Sequence, residues 1–189
     1  MAATAKERLN ELLTALPDSV PHIHESAWID PASVPFTEEV RKMCEANRCG
    51  MYGKCWTCPP GVGHWEDLRD RYRAYKEAYV FTTCHALEDS FDFEGMQHGM
   101  KDFKKMLDKL NANLKNALPE YLLLGNEGCG RCRQCTYPDQ PCRFPELLYH
   151  SIEGYGFIVS ELAKSAGVRY TNGANTVTFF GAVLWNPGA

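Results

Sequence analysis

The chain has 189 residues, 44% hydrophobic and 12% aromatic, which is enough to build the core of one domain without cross-links. Its formal charge of −4 speaks against a nucleic-acid binder that works through bulk electrostatics. No run of about 18 apolar residues occurs, so no membrane-spanning helix is expected.

The opening stretch "MAATAKERLNELLTAL" has no long apolar segment behind a basic start and does not read as a secretory signal. It predicts an amphipathic helix, with Thr4 and Glu7 as a capping box and Leu9, Leu12, Leu13 and Leu16 on one face. A cytoplasmic protein is the expectation. "HIHESAWI", from His22, reads as a strand. Thr37 is a candidate N-cap, with Glu38 and Glu39 in the first turn of a helix that runs into Cys44.

"HWEDLRDRYRAYKEA" predicts a helix with Trp65, Leu68, Tyr72 and Tyr75 on one face, and "AYVFTTC" a buried strand. The longest helix is expected over about 94–117, where Met96, Met100, Phe103, Leu107, Leu110 and Leu114 alternate at spacings of four and three. Its lysines (Lys101, Lys104, Lys105, Lys109) read as a solvated face and its methionines as core. "EYLLLG" is a short strand, "SIEGYGFIVSELAKSAG" one helix ending at Gly167, and "NTVTFFGAVLW" a final strand. The expected architecture is a single α+β domain in which a small central β-sheet is flanked by helices. Residues 1–35 would form an N-terminal helix and extended arm, and 40–185 a cysteine-rich metal-binding core with two iron–sulfur loops.

Nine cysteines are out of place in such a protein. A reducing compartment disfavours disulfides and the count is odd, so metal binding is the better reading. Eight of the nine fall in two groups. The second, "GCGRCRQCTYPDQPCRFP", holds Cys129, Cys132, Cys135 and Cys142 at the spacing C-x2-C-x2-C-x6-C. Three thiols in so short a loop can wrap one corner of a cubane, as in the C-x2-C-x2-C run of bacterial-type ferredoxins. Structural zinc sites instead pair two C-x2-C knuckles about 15–20 residues apart, and Cys55–Cys58 is too distant to be the second knuckle. The spacing therefore favours a [4Fe-4S] cluster, with zinc as the runner-up. Gly125, Gly128 and Gly130 suit a sharply turning loop that aims N–H groups at sulfur. Arg131, Arg133 and Arg143 are candidates for offsetting cluster charge, or solvated surface residues.

The first group, "CEANRCGMYGKCWTCPP", spaces Cys44, Cys49, Cys55 and Cys58 as C-x4-C-x5-C-x2-C and offers a second cubane. If Cys55 is a ligand the site is closed, which suits electron transfer. If only Cys44, Cys49 and Cys58 bind, one iron keeps an open position, as catalytic metal sites do. Cys84, alone on a predicted strand, reads as a buried thiol. His64, His85, His98 and His150 are assigned no role.

"YGKCWTCPPG", "CGRCRQCTYPDQPCRFP", "SIEGYGFIVSELAKSAG" and "NTVTFFGAVL" together resemble the domain of unknown function 2284 family of predicted metal-binding proteins, over roughly residues 40 to 185. The resemblance implies metal ligation by Cys44, Cys49 and Cys58 and by Cys129, Cys132, Cys135 and Cys142. It does not require a cysteine at position 55. Ser151, Glu153, Tyr155 and Gly156 fall in the matched region, where a helix could present Ser151 or Glu153 to a cluster. Two glycines inside a helix cost about 1 kcal/mol each and signal close approach of another backbone, for which tight packing is sufficient reason.

Three functions remain open. A carrier of two [4Fe-4S] clusters in electron transfer, working with a redox partner protein, comes first. An enzyme with an open three-cysteine cluster is next, binding a small-molecule ligand beside Tyr52, Lys54 and Trp56. A structural or redox-sensing metal module is third. No G-x-G-x-x-G follows a strand, so neither flavin nor nicotinamide is expected.

Overall fold

The computed structural model describes residues 5–126 and 128–186. Its centre is a five-stranded sheet in the order β1-β2-β5-β3-β4, formed by β1 (Ser26–Ile29), β2 (Glu77–Ala86), β3 (Tyr121–Gly125), β4 (His150–Ser151) and β5 (Thr176–Trp185). All pairings are antiparallel except β3 with β4. Six α-helices accompany it among the described residues: α1 (Ala5–Thr14), α2 (Glu39–Glu45), α3 (Trp65–Arg73), α4 (Phe93–Ala117), α5 (Ile152–Tyr155) and α6 (Val159–Ala166). The α+β expectation holds.

Side-chain alternation along the strands sorts the apolar residues onto two faces. Val80, Leu122, Leu124, Phe180, Ala182 and Leu184 pack with Leu68 and Tyr72 of α3, Tyr155 of α5 and Leu162 of α6. On the other face Tyr79, Phe81, Leu123, Phe179, Val183 and Trp185 meet α4 through Met100, Phe103, Met106, Leu107, Leu110 and Leu114. Leu9 and Leu13 of α1 are buried in that same cluster, with Leu12 and Leu16 against it, so the expected leucine face is the packed face. Thr4, the other half of the expected capping box, lies outside the described residues. Burial on both faces explains why the long strands read as continuous apolar runs.

Four expected elements differ. The strand expected from His22 starts at Ser26, and the helix expected through Ala78 stops at Arg73, with Glu77 and Ala78 already in β2. The helix into Cys44 starts at Glu39, and Thr37 supports it from outside by accepting the Glu39 N–H at 3.2 Å. The single helix expected over 151–167 is broken into β4, α5 and α6. Gly156, at φ 134°, ends α5, and Phe157 then bridges to Phe36 in antiparallel fashion. A Cβ at Gly156 would sit 2.6 Å from the Phe36 ring, so the glycine serves both the turn and the contact. The second piece does end at Gly167, in the left-handed conformation expected of a C-terminal cap.

Candidate metal centre

Apart from Cys44, which lies in the last turn of α2, the cysteines of both groups lie in loops that the sheet and helices hold from outside. The first loop, residues 46–63, connects α2 to α3. The second, residues 128–149, leaves the end of β3 and returns to β4. All nine cysteines are free thiols.

The two loops interlock. Thr57, fully buried, stands at the junction: its Oγ1 accepts the Cys129 N–H at 3.0 Å, lies 3.2 Å from Cys55 Sγ and 4.0 Å from Cys58 Sγ. Besides accepting from Cys129, it keeps one proton and one lone pair with which to meet the two sulfurs. The Thr57 carbonyl in turn accepts the Ser151 N–H at 3.2 Å, and Ser151 Oγ is 3.8 Å from Cys58 Sγ. Ser151 also caps α5 by accepting from Gly154 N at 2.9 Å. A Cβ on Gly154 would press on Ser151 Oγ, Pro59 and the Thr57 carbonyl. The close backbone approach expected of this glycine is therefore an approach to the first cysteine loop.

Farther out, the Trp56 ring meets Tyr137 edge-on at 4.9 Å, and its Nε1 donates to the Gln140 carbonyl at 3.2 Å. Trp56, expected to line a ligand pocket, is thus engaged in joining the loops. The Met51 side chain covers Gly128 so closely that a Cβ there would lie 2.2 Å from its methyl group.

Helix α4 anchors the second loop. Lys104 donates to the carbonyls of Gly128 and Cys129 at 2.7 and 2.8 Å. Arg131 forms a bidentate pair with Asp108, donates to the Leu147 carbonyl at 3.1 Å and lies over the Tyr149 ring, whose hydroxyl also donates to Asp108. This corrects the reading of Lys104 as part of a merely solvated lysine face. Arg143 closes the loop on itself through the Gln134 carbonyl at 2.9 Å. Within the loop, Cys135 Sγ accepts the Tyr137 N–H at 3.5 Å and Cys142 Sγ the Phe144 N–H at 3.4 Å. Such N–H donors to sulfur are the polar support a metal-bound thiolate requires.

The thiols differ in their electrostatics. Cys58 donates to Cys55, so Cys55 is held well below an ordinary thiol, with Thr57 and the Cys129 N–H assisting. Cys58 is pushed up by that hydrogen bond and by burial. Burial also raises Cys44, and the nearby Glu153 carboxylate adds to it. Cys129 is raised by burial against the opposing pull of Arg131 and Lys104.

Among the described residues, no three His, Cys, Asp or Glu side chains are drawn together tightly enough to hold a single metal ion. The donors are spread over two meshed loops instead of closing on one point. Cys84 is only half-buried and lines a groove of about 510 Å³ with His22, His24, His85 and Asp102, where β2 runs on past its pairing with β1. The other flank of α4, with Lys104 and Asp108, faces the cysteine loop.

Thr57, Lys104 and Asp108 escaped the sequence reading. Thr57 had a signal, being a hydroxyl inside a C-x2-C. Lys104 and Asp108, four residues apart, share a stripe bordering the apolar seam of α4. No helix among the described residues is long and apolar enough to cross a membrane. No curated protein and no solved structure matches the chain. The family model described as a predicted metal-binding protein does match, over residues 27–185, reaching farther toward the N terminus than the motifs themselves. The chain belongs to the domain of unknown function 2284 family of predicted metal-binding proteins.

Proposed function

We propose that the protein is an iron–sulfur protein that binds two [4Fe-4S] clusters and serves in electron transfer or as a redox accessory to a partner protein. The supporting observation is the meshing of two loops that carry seven free thiols, with Cys44 of α2 an eighth, and with a buried hydroxyl and backbone N–H groups directed at sulfur. The donor set fits: thiolates are the ligands such clusters use, and N–H groups around them tune potential. Cys129, Cys132, Cys135 and Cys142 in the second group and Cys44, Cys49, Cys55 and Cys58 in the first are the proposed ligands. When bound, such clusters take up and release single electrons.

The chain's own contribution is positional. Lys104 and the Arg131–Asp108 pair hold the second loop against α4, and Ser151 holds the first loop against β4. Meshing of Trp56 with Tyr137 fixes the two loops relative to each other.

Anaerobic purification followed by iron and sulfide analysis and electron paramagnetic resonance (EPR) of the reduced protein tests the reading. About eight irons per chain are expected from two cubanes. A colourless, zinc-loaded protein would sink it and leave a structural metal module.

A further inference from the structure

The sequence divides its eight clustered thiols by position along the chain, four in each group. The spatial division is different. The Cys55 and Cys58 sulfurs and the Cys129 backbone N–H all meet one buried hydroxyl, that of Thr57. Cys135 and Cys142 each receive an N–H from two residues farther along their own loop. Cys129 lies at the threshold of the second loop, where Lys104 fixes the carbonyls of Gly128 and Cys129 and Met51 covers Gly128.

We propose that Cys55, Cys58 and Cys129 ligate one and the same cluster, so that its ligand set crosses from one loop to the other. The proposal rests on the iron–sulfur reading and gives Cys55, which the family pattern leaves unassigned, the role of a ligand.

Three observations carry it. First, Cys129 N–H and Cys55 Sγ converge on the same side-chain oxygen, at 3.0 and 3.2 Å, which ties the start of the second loop to the C-x2-C of the first. Second, that tie cannot slide. Trp56 is pinned to Tyr137 and to the Gln140 carbonyl, and a Cβ at Gly61 would meet the Cys55 carbonyl at 2.6 Å and the Tyr137 ring at 3.0 Å. Third, Cys135 and Cys142 are supported apart from that junction, each by an N–H from two residues farther along the second loop. Exchange of one cysteine between the clusters of neighbouring motifs has precedent in two-cluster ferredoxins, where the fourth cysteine of a run serves the other cluster. Thr57 is a positioning residue in this arrangement. Its hydroxyl holds the Cys129 backbone and donates toward Cys55 sulfur.

Single cysteine-to-serine variants of the full chain, purified anaerobically, read the grouping directly. Cys55→Ser and Cys129→Ser are expected to abolish the same EPR signal of the reduced protein, each with loss of about half of the iron. Cys135→Ser and Cys142→Ser are expected to abolish the other signal. If Cys129→Ser instead loses the signal lost in Cys135→Ser while Cys55→Ser loses a different one, the ligand sets follow the chain and the proposal is overturned.

Because a serine at a buried site can prevent folding, the wild-type holoprotein provides a second measurement. Metal is withdrawn stepwise with a chelator, and freed thiols are alkylated and identified by peptide mass spectrometry. Labelling of Cys55, Cys58 and Cys129 in one phase, distinct from Cys135 and Cys142, supports the proposal. Labelling of Cys129 together with Cys132, Cys135 and Cys142 overturns it. Should the metal prove to be zinc, the iron–sulfur reading fails, and the same peptides still decide which thiols share a site.

Discussion

The sheet with its helices and the pair of cysteine loops are held together by different forces. In the sheet, both faces are sealed by apolar side chains, and Phe81, Phe103, Leu110 and Val183 have no exposed surface at all. The loops bury little that is apolar. Their fixed points are polar or sulfur-based: Thr57 between thiols, Lys104 on two carbonyls, Arg131 on Asp108, Trp56 on a carbonyl. Apolar burial is non-directional and tolerates small shifts, whereas hydrogen bonds are directional and fix particular atoms. The difference teaches that the sheet supplies stability and the loops supply geometry, so damage to one should be separable from damage to the other.

The largest effect should come from breaking the sheet side. Phe103→Ala empties a fully buried site between α4 and β5 and should cost about 3–5 kcal/mol, read as a lower unfolding midpoint in denaturant with the slope unchanged. Metal content per folded molecule should stay the same. A fall in metal content matching the loss of stability would show that sheet and loops are one cooperative unit.

An effect of intermediate size should come from acid. His150, at the seam where β4 meets α5, is pushed down to about 4 by burial, with the positive charge of Arg71 adding to it. The unfolded chain then takes up a proton near pH 6.5 that the folded chain refuses. Stability from this group is intact above pH 6.5 and is lost as pH falls toward about 4, by at most about 3 kcal/mol. His150→Gln should flatten the dependence of the thermal midpoint on pH across that window. An unchanged slope would mean that another group carries it.

Thr57→Val tests the loop side. The substitution keeps the shape but strands the Cys129 N–H, at a cost of about 1–3 kcal/mol concentrated in the loops. Hydrogen exchange should quicken at residues 128–132 while β2 and β5 stay protected, and Thr57→Ser should restore the slow rate. Uniform acceleration across the sheet would contradict the separation.

The smallest effect is expected for Asp108→Ala. Its pair with Arg131 is partly exposed, so the loss should be about 1 kcal/mol, seen as faster proteolytic cleavage within 128–143. A loss as large as that for Phe103→Ala would mean that α4 and the second loop form a single packed body.

Much of the sheet side was legible in one dimension. Period-two and period-3.6 patterns are local, and they located β2, α3, α4 and β5 to within a few residues. The break at Gly156 was not legible as a break, because it depends on Phe36, which approaches from 120 residues earlier in the chain. At the loops the thiols were plain from spacing, while their partners were not. Lys104 resembles its three neighbouring lysines until the fold brings the Gly128 and Cys129 carbonyls to it. Trp56 resembles a pocket wall until Tyr137 arrives.

By itself, the sequence determined where the clustered thiols lie along the chain and which segments form most of the strands and helices, since cysteine spacing and hydrophobic period are properties of short stretches. Only the tertiary structure decided which residues of the two loops meet, here the Cys129 N–H and the Cys55 sulfur at Thr57. Cys55 and Cys129 are 74 positions apart, and what joins them is the crossing of two loops at one buried hydroxyl. Spacing along a chain cannot encode that meeting, because it depends on how β3, β4 and α4 pack.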